Sequence, residues 1–301
     1  MNEIKNFIIL TVFAGVFILS VQMIHAMPYD LSQLLPFDPA EQVKFGKSIN
    51  IDSFPAKVTF RQNNRELHYL AVSHTTDQDS RTCRMIRDEI ERLRPSFLIL
   101  EGFGSSKAEI DKVKECCLKL DEYPDEPYYA AYLAQRYNIP FIGGEPDDQD
   151  IIKLLEEKGY TKDDVAYFYF TQQIPQKWRH KKFEESDLPQ IFEQLTQSWK
   201  GLFGKTYTYA EYQEWLTLAH GKVVSFRDLI NTKMTAPLGM GNKVQKISYE
   251  IETIRDSMIL HRILDATKIY DVVTVIYGGS HYCCQRKVLQ QYLGNPSYQA
   301  F

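Results

Sequence analysis

The amino-acid sequence predicts an α/β fold in which a central, mostly parallel sheet is flanked by helices and carries an N-terminal β-hairpin and a large helical insertion. Three observations predict it. Short continuous apolar runs alternate with segments of helical periodicity, as in parallel βαβ units. Two strand-like segments near the start flank a polar turn. Residues 147–242 are almost wholly helical in pattern and rich in Tyr, Phe and Trp.

The hairpin is read at Lys57 to Phe60 and Glu66 to Val72, joined by the turn Gln62-Asn63-Asn64-Arg65. A helical pattern from Gln78 to Leu93 places Met85, Ile86, Ile90 and Leu93 on one face, and Pro95 stops it. Ser96 to Leu100 is a short apolar run, the pattern of a strand covered on both faces. Helices follow near Lys107 to Leu120 and Glu126 to Tyr137, then a strand at Pro140 to Gly143. After the helical insertion a long helix, Val244 to Ala266, leads back to a strand at Val272 to Tyr277, and a last helix runs from Cys284 to Tyr292.

The first residues read as an export signal. Lys5 precedes the apolar run Phe7 to Val21, and Ile24 and Ala26 stand at the minus-three and minus-one positions of a cleavage site before Met27-Pro28. Residues 1–26 are therefore expected to be a signal peptide, the alternative being an uncleaved membrane anchor. The apolar run is short for a span of roughly 20 residues. Residues 27–301 then form the α/β domain, in a periplasmic or secreted location. The 35 basic and 39 acidic residues give a net charge of -4, and no Lys/Arg block stands ready to neutralise phosphates, which argues against a nucleic-acid partner. Cys83, Cys116, Cys117, Cys283 and Cys284 lack the two-residue gap of a zinc ribbon and are read as structural, buried or partly paired.

Chemistry is concentrated where the strands end. Leu70 to Ser73 runs into His74, Phe97 to Leu100 into Glu101, Phe141 to Gly144 into Glu145, and Val275 to Ser280 into His281. Ligands of open α/β sheets bind beyond the carboxyl ends of the strands, so four ionisable residues there mark a candidate site. Gly278 and Gly279, beside His281, would let a ligand or cofactor approach the backbone closely. Two imidazoles and a carboxylate suit a first-row divalent cation such as manganese, cobalt or zinc, and make His74, Glu101 and His281 the candidate ligands. Glu145 is then a base or a further ligand. Arg255 borders the stripe Ile251, Ile254 and Met258 on its helix, so it either pairs with a carboxylate or ligand or lies along the surface. As accessible strand-end groups, the ligands are expected to matter to metal binding far more than to folding.

These residues resemble the TraB/PrgY/Tiki superfamily, which includes GumN-like proteins and is distantly related to erythromycin esterases and haem-binding ChaN proteins. Gly278-Gly279-Ser280-His281 is similar to the family's second G-x-x-H motif, and Ala71-Val72-Ser73-His74 to its first with Ala in place of Gly. Leu98-Ile99-Leu100-Glu101 and Ile142-Gly143-Gly144-Glu145 resemble its glutamate segments, and Arg255-Asp256 its Arg-Asn pair with Asp in place of Asn. The resemblance runs from about residue 66 to 292, most of the mature chain. It implies an exported hydrolase or metalloprotease, dependent on manganese or cobalt, acting on a peptide or a small-molecule amide or ester. The alternatives left open are a non-catalytic haem-, iron- or peptide-binding protein and a metal-free esterase-like enzyme with a histidine base. In the hydrolase reading Arg255 is expected to orient a carboxylate or stabilise an oxyanion. The aromatic-rich insertion is expected to wall the cleft, the alternative being core packing within a helical subdomain.

Overall fold

The computed structural model describes residues 29–36, 38, 45, 54–119 and 124–300. The export signal read at residues 1–26 lies outside them. The α/β class is as expected: six strands form one sheet in the order β4-β3-β5-β2-β1-β6. They are β1 (Ala56–Gln62), β2 (Arg65–Val72), β3 (Phe97–Gly104), β4 (Phe141–Glu145), β5 (Val272–Gly278) and β6 (Ser297–Ala300). The first four in that order run parallel, whereas β1 pairs antiparallel with β2 and with β6. The short edge strand β6 escaped the sequence reading, because four residues carry too little periodicity to announce themselves.

Alternation along the strands divides the core into two layers. Leu70 and Val72 of β2, Leu98 and Leu100 of β3 and Ile276 of β5 face α1 (Arg81–Asp88), α2 (Lys107–Cys117) and α3 (Glu126–Arg136). Tyr69, Ala71, Ile99, Val275 and Tyr277 face the other way, onto α10 (Lys243–Ile269) and α11 (Gly279–Leu293). Between β4 and α10 the chain is helical: α4 (Asp148–Glu157), α5 (Lys162–His180), α6 (Leu188–Ser198), α7 (Lys200–Phe203), α8 (Tyr209–His220) and α9 (Phe226–Leu229). These build a second core around Phe168, Phe170, Phe192 and Tyr212.

The 27-residue helix α10 belongs to both cores. Its first half buries Val244, Ile247, Ile251 and Ile254 in the helical subdomain, and its second half lays Ile259, Leu260, Ile263 and Leu264 on the sheet. Residues 252–256 therefore sit where the two bodies meet, above the carboxyl ends of the strands. No helix among the described residues is long and apolar enough to cross a membrane.

Candidate functional site

The strand order brings three of the predicted residues together. Because β5 lies between β3 and β2, the ends of all three strands are neighbours. His74 follows β2, Glu101 lies within β3, and His281 is in the first turn of α11, which begins five residues earlier than its periodicity suggested. Glu101 Oε1 stands 3.7 Å from His74 Nε2 and 3.5 Å from His281 Nε2. Its other oxygen accepts a 2.6 Å hydrogen bond from the Gly278 N–H. Regular pairing of β3 with β4 breaks after Leu100, and Gly102 takes φ +92° where the strand turns. A side chain on Gly143 would collide with the Phe103 carbonyl, so only glycine admits this close approach.

Two carboxylates that were not predicted as site residues orient the histidines. Glu126, in the first turn of α3, lies 2.5 Å from His74 Nδ1 and accepts the Thr75 N–H at 3.0 Å. Asp256 lies 2.8 Å from His281 Nδ1 and is held by Gln285 Nε2 at 2.6 Å. An ionised carboxylate only accepts, so each fixes a proton on Nδ1 and leaves Nε2 turned toward Glu101. Carboxylate-backed imidazoles are the usual outer shell of metal-ligating histidines. Glu126 was hidden in the sequence because Asp125-Glu126-Pro127 reads as an ordinary helix start.

Electrostatics follow from this arrangement. Burial works against the charge on Glu101, but His281 and the charge of His74 beside it hold its carboxyl down at about 2. Burial likewise disfavours a charged His281, yet Asp256 and Glu101 raise its pKa well above the ordinary value. The hydrogen bond to Glu126 raises that of His74. The expectation that these groups are simply accessible is corrected here. The side chains of Glu101 and His281 are only 12% and 9% exposed, against 63% for His74, because the central strands are covered on both faces.

Glu145 and Arg255 form a separate pair. Arg255 Nε and Nη2 donate to the two oxygens of Glu145 at 2.8 and 2.9 Å, and Nη1 donates to both oxygens of Glu252 at 3.0 Å. Burial alone would lower the Arg255 pKa, and the two carboxylates more than offset it. Gly278 belongs to the cluster, with its Cα beside His74 and Glu101, whereas a side chain on Gly279 would strike the Phe54 ring. Gly279 therefore makes room for protein packing.

A cavity of about 290 Å³ opens over the cluster, with His74, Glu101, Glu252, Arg255 and His281 in its wall. The helical insertion contributes Gln172, Thr235 and Pro237 to that wall. Its aromatics do not line it: Tyr167, Phe170, Phe192 and Tyr212 pack ring on ring inside the subdomain. Comparison with known proteins finds no match. No family model, curated protein or solved structure aligns with the chain.

Among the described residues no group of three or more His, Cys, Asp or Glu side chains is placed so as to hold a metal ion. Two separations within the donor set nevertheless match those between donors around a cation. Donors about 2.1 Å from one tetrahedral ion stand about 3.4 Å from each other, close to the 3.5 and 3.7 Å found here and beyond hydrogen-bond length.

Of the remaining histidines, His261 contacts the Ser257 carbonyl at 2.8 Å. His68 is a buried polar centre, its ring nitrogens 2.5 Å from Glu89 and 2.6 Å from Glu66. Lys57 also binds Glu89 at 2.6 Å, and Glu89 begins a π-helical turn, Glu89–Leu93. All five cysteines are unpaired, and four are buried.

Proposed function

We propose that the protein is an exported, divalent-metal-dependent hydrolase of the TraB/Tiki type, acting on a peptide or another amide or ester. The observation that carries this reading is the pair of carboxylate-backed histidines presenting Nε2 to one oxygen of Glu101 in the wall of a cavity. His74 and His281 would hold the cation through Nε2, and Glu101 through Oε1. A divalent cation there supplies Lewis acidity toward a carbonyl and lowers the pKa of water.

The chain's own residues supply orientation. Glu126 and Asp256 hold the two imidazole planes, Gln285 anchors Asp256, and the Gly278 N–H anchors Glu101. Asp256 makes the contact that counts at its position, so Asp in place of the family's Asn is compatible with an assembled site. Glu145 is not placed to act as a base, since it faces Arg255 with both its oxygens and does not line the cavity. Its part in this reading is to hold Arg255 in the cavity wall.

The test is thermal unfolding of protein purified without chelator, with and without manganese, cobalt or zinc, beside elemental analysis, an absorption scan and a peptide-library assay. At free metal one hundred times its Kd, a native-state ligand stabilises by about 2.7 kcal/mol. Wild type and the control His261→Ala should show the rise, and His281→Ala should lose both the rise and hydrolysis. A wild type indifferent to metal would overturn the proposal, and a haem Soret band would favour the binding-protein alternative.

A further inference from the structure

We infer that the substrate presents a free ammonium group, as at the N-terminus of a peptide, and that Glu252 receives it. The inference rests on the hydrolase reading of the same cavity and names its substrate class. Its starting point is the arginine. Among the described residues Arg255 is the one cationic side chain of Lys or Arg type in the cavity wall, and Glu145 and Glu252 already engage its Nε, Nη1 and Nη2. A substrate carboxylate would therefore meet a guanidinium whose charge is satisfied, and would lie beside Glu101, Glu252 and Asp256. That replaces the expectation that Arg255 orients a carboxylate.

The charge balance points the same way. Five carboxylates surround the site: Glu101, Glu126, Glu145, Glu252 and Asp256. Against them stand Arg255, Arg262 at the Glu145 backbone and, with neutral histidine ligands, the two charges of a divalent cation. Negative charge remains in excess beside the cation. Glu252 is the carboxylate placed to use it. It lies one helical turn before Asp256, lines the cavity, and keeps 22% of its side chain exposed. An ionised carboxylate offers about four acceptor positions, of which Arg255 Nη1 takes two. The rest of the wall, including Gln172, Thr235 and Ser248, carries hydrogen-bonding groups suited to a peptide backbone.

The experiment compares alanyl-alaninamide with its N-acetyl and N-succinyl forms on manganese-loaded protein, measuring hydrolysis and, separately, binding by calorimetry. The free amine should be bound and cleaved at least about tenfold better than the acetylated form, the scale of one charge-assisted hydrogen bond. The succinylated form should be poorest. Glu252→Gln should erase most of that preference, while Glu250→Gln, whose parent residue pairs with Lys158, should keep it. Equal or better use of the acetylated form overturns the ammonium inference and leaves the hydrolase standing. Selective binding of the free amine without cleavage of any form overturns the hydrolase reading and leaves the ammonium site. Binding of none of the three overturns the inference outright.

Discussion

Replacing Glu126 by Gln strikes the cluster at a fully buried support. Glu126 is 1% exposed, and its two oxygens accept separately from His74 Nδ1 and from the Thr75 N–H. The amide of Gln has one oxygen, so it can serve only one of these donors and must turn its NH₂ toward the other. The metal-free protein should lose about 1–3 kcal/mol, the cost of a buried donor left unsatisfied. His74 is 63% exposed and otherwise able to swing, so its Nε2 should also lose its aim. Changes to such outer-shell partners typically weaken metal affinity by about 10–100-fold. At metal one hundred times the wild-type Kd, stabilisation by metal should then fall from about 2.7 to between about 1.4 and 0.4 kcal/mol. In a protein of this size a melting rise of roughly 5–10 °C would shrink to roughly 1–5 °C. Calorimetric titration gives the affinity and thermal unfolding the stability. If Glu126→Gln binds metal as tightly as wild type, the backing role is wrong, whatever the variant does to folding.

Three further outcomes are expected. His281→Ala should destabilise even the metal-free protein, by about 3–5 kcal/mol, because it leaves Asp256 buried without its ionic partner; adding Asp256→Asn should recover part of the loss in urea unfolding, and a single variant as stable as wild type would refute this. Glu89 is held below the ordinary carboxylate range, burial opposing but the hydrogen bond from His68 and the charges of His68 and Lys57 prevailing. Its contribution to stability should be full above pH about 4.5 and fade as pH falls through its lower folded value; Glu89→Gln should flatten that acid-side loss, and an unchanged pH dependence of unfolding would count against it. Export with cleavage should leave a chain whose N-terminal sequence begins at or near Met27, and full-length chain in the membrane fraction would reject cleavage.

Local pattern was enough to write the α/β class, the hairpin and most of the strands. Strand periodicity and helix punctuation are local, and Leu98 to Leu100 or Val273 to Ile276 had to be covered on both faces whatever surrounded them. The same runs placed His74, Glu101, Glu145 and His281 at strand ends. Which of the four would meet was not local. Inserting β5 between β3 and β2 joined His74, Glu101 and His281, while Glu145, on the edge strand β4, went to Arg255. Glu126 and Asp256 found their histidines across 52 and 25 residues of chain. No periodicity encodes such a pairing, since it depends on how α3 and α10 pack over the sheet. The insertion does wall the cleft, through Gln172, Thr235 and Pro237, but the place of its aromatics was not legible for the same reason: composition shows that large rings must be buried, and only packing decides whether they bury one another or line a cleft. Residue types and strand ends set out the candidate chemistry; the sheet order and the junction in α10 decided which groups share a cavity, because both are consequences of closing two cores at once.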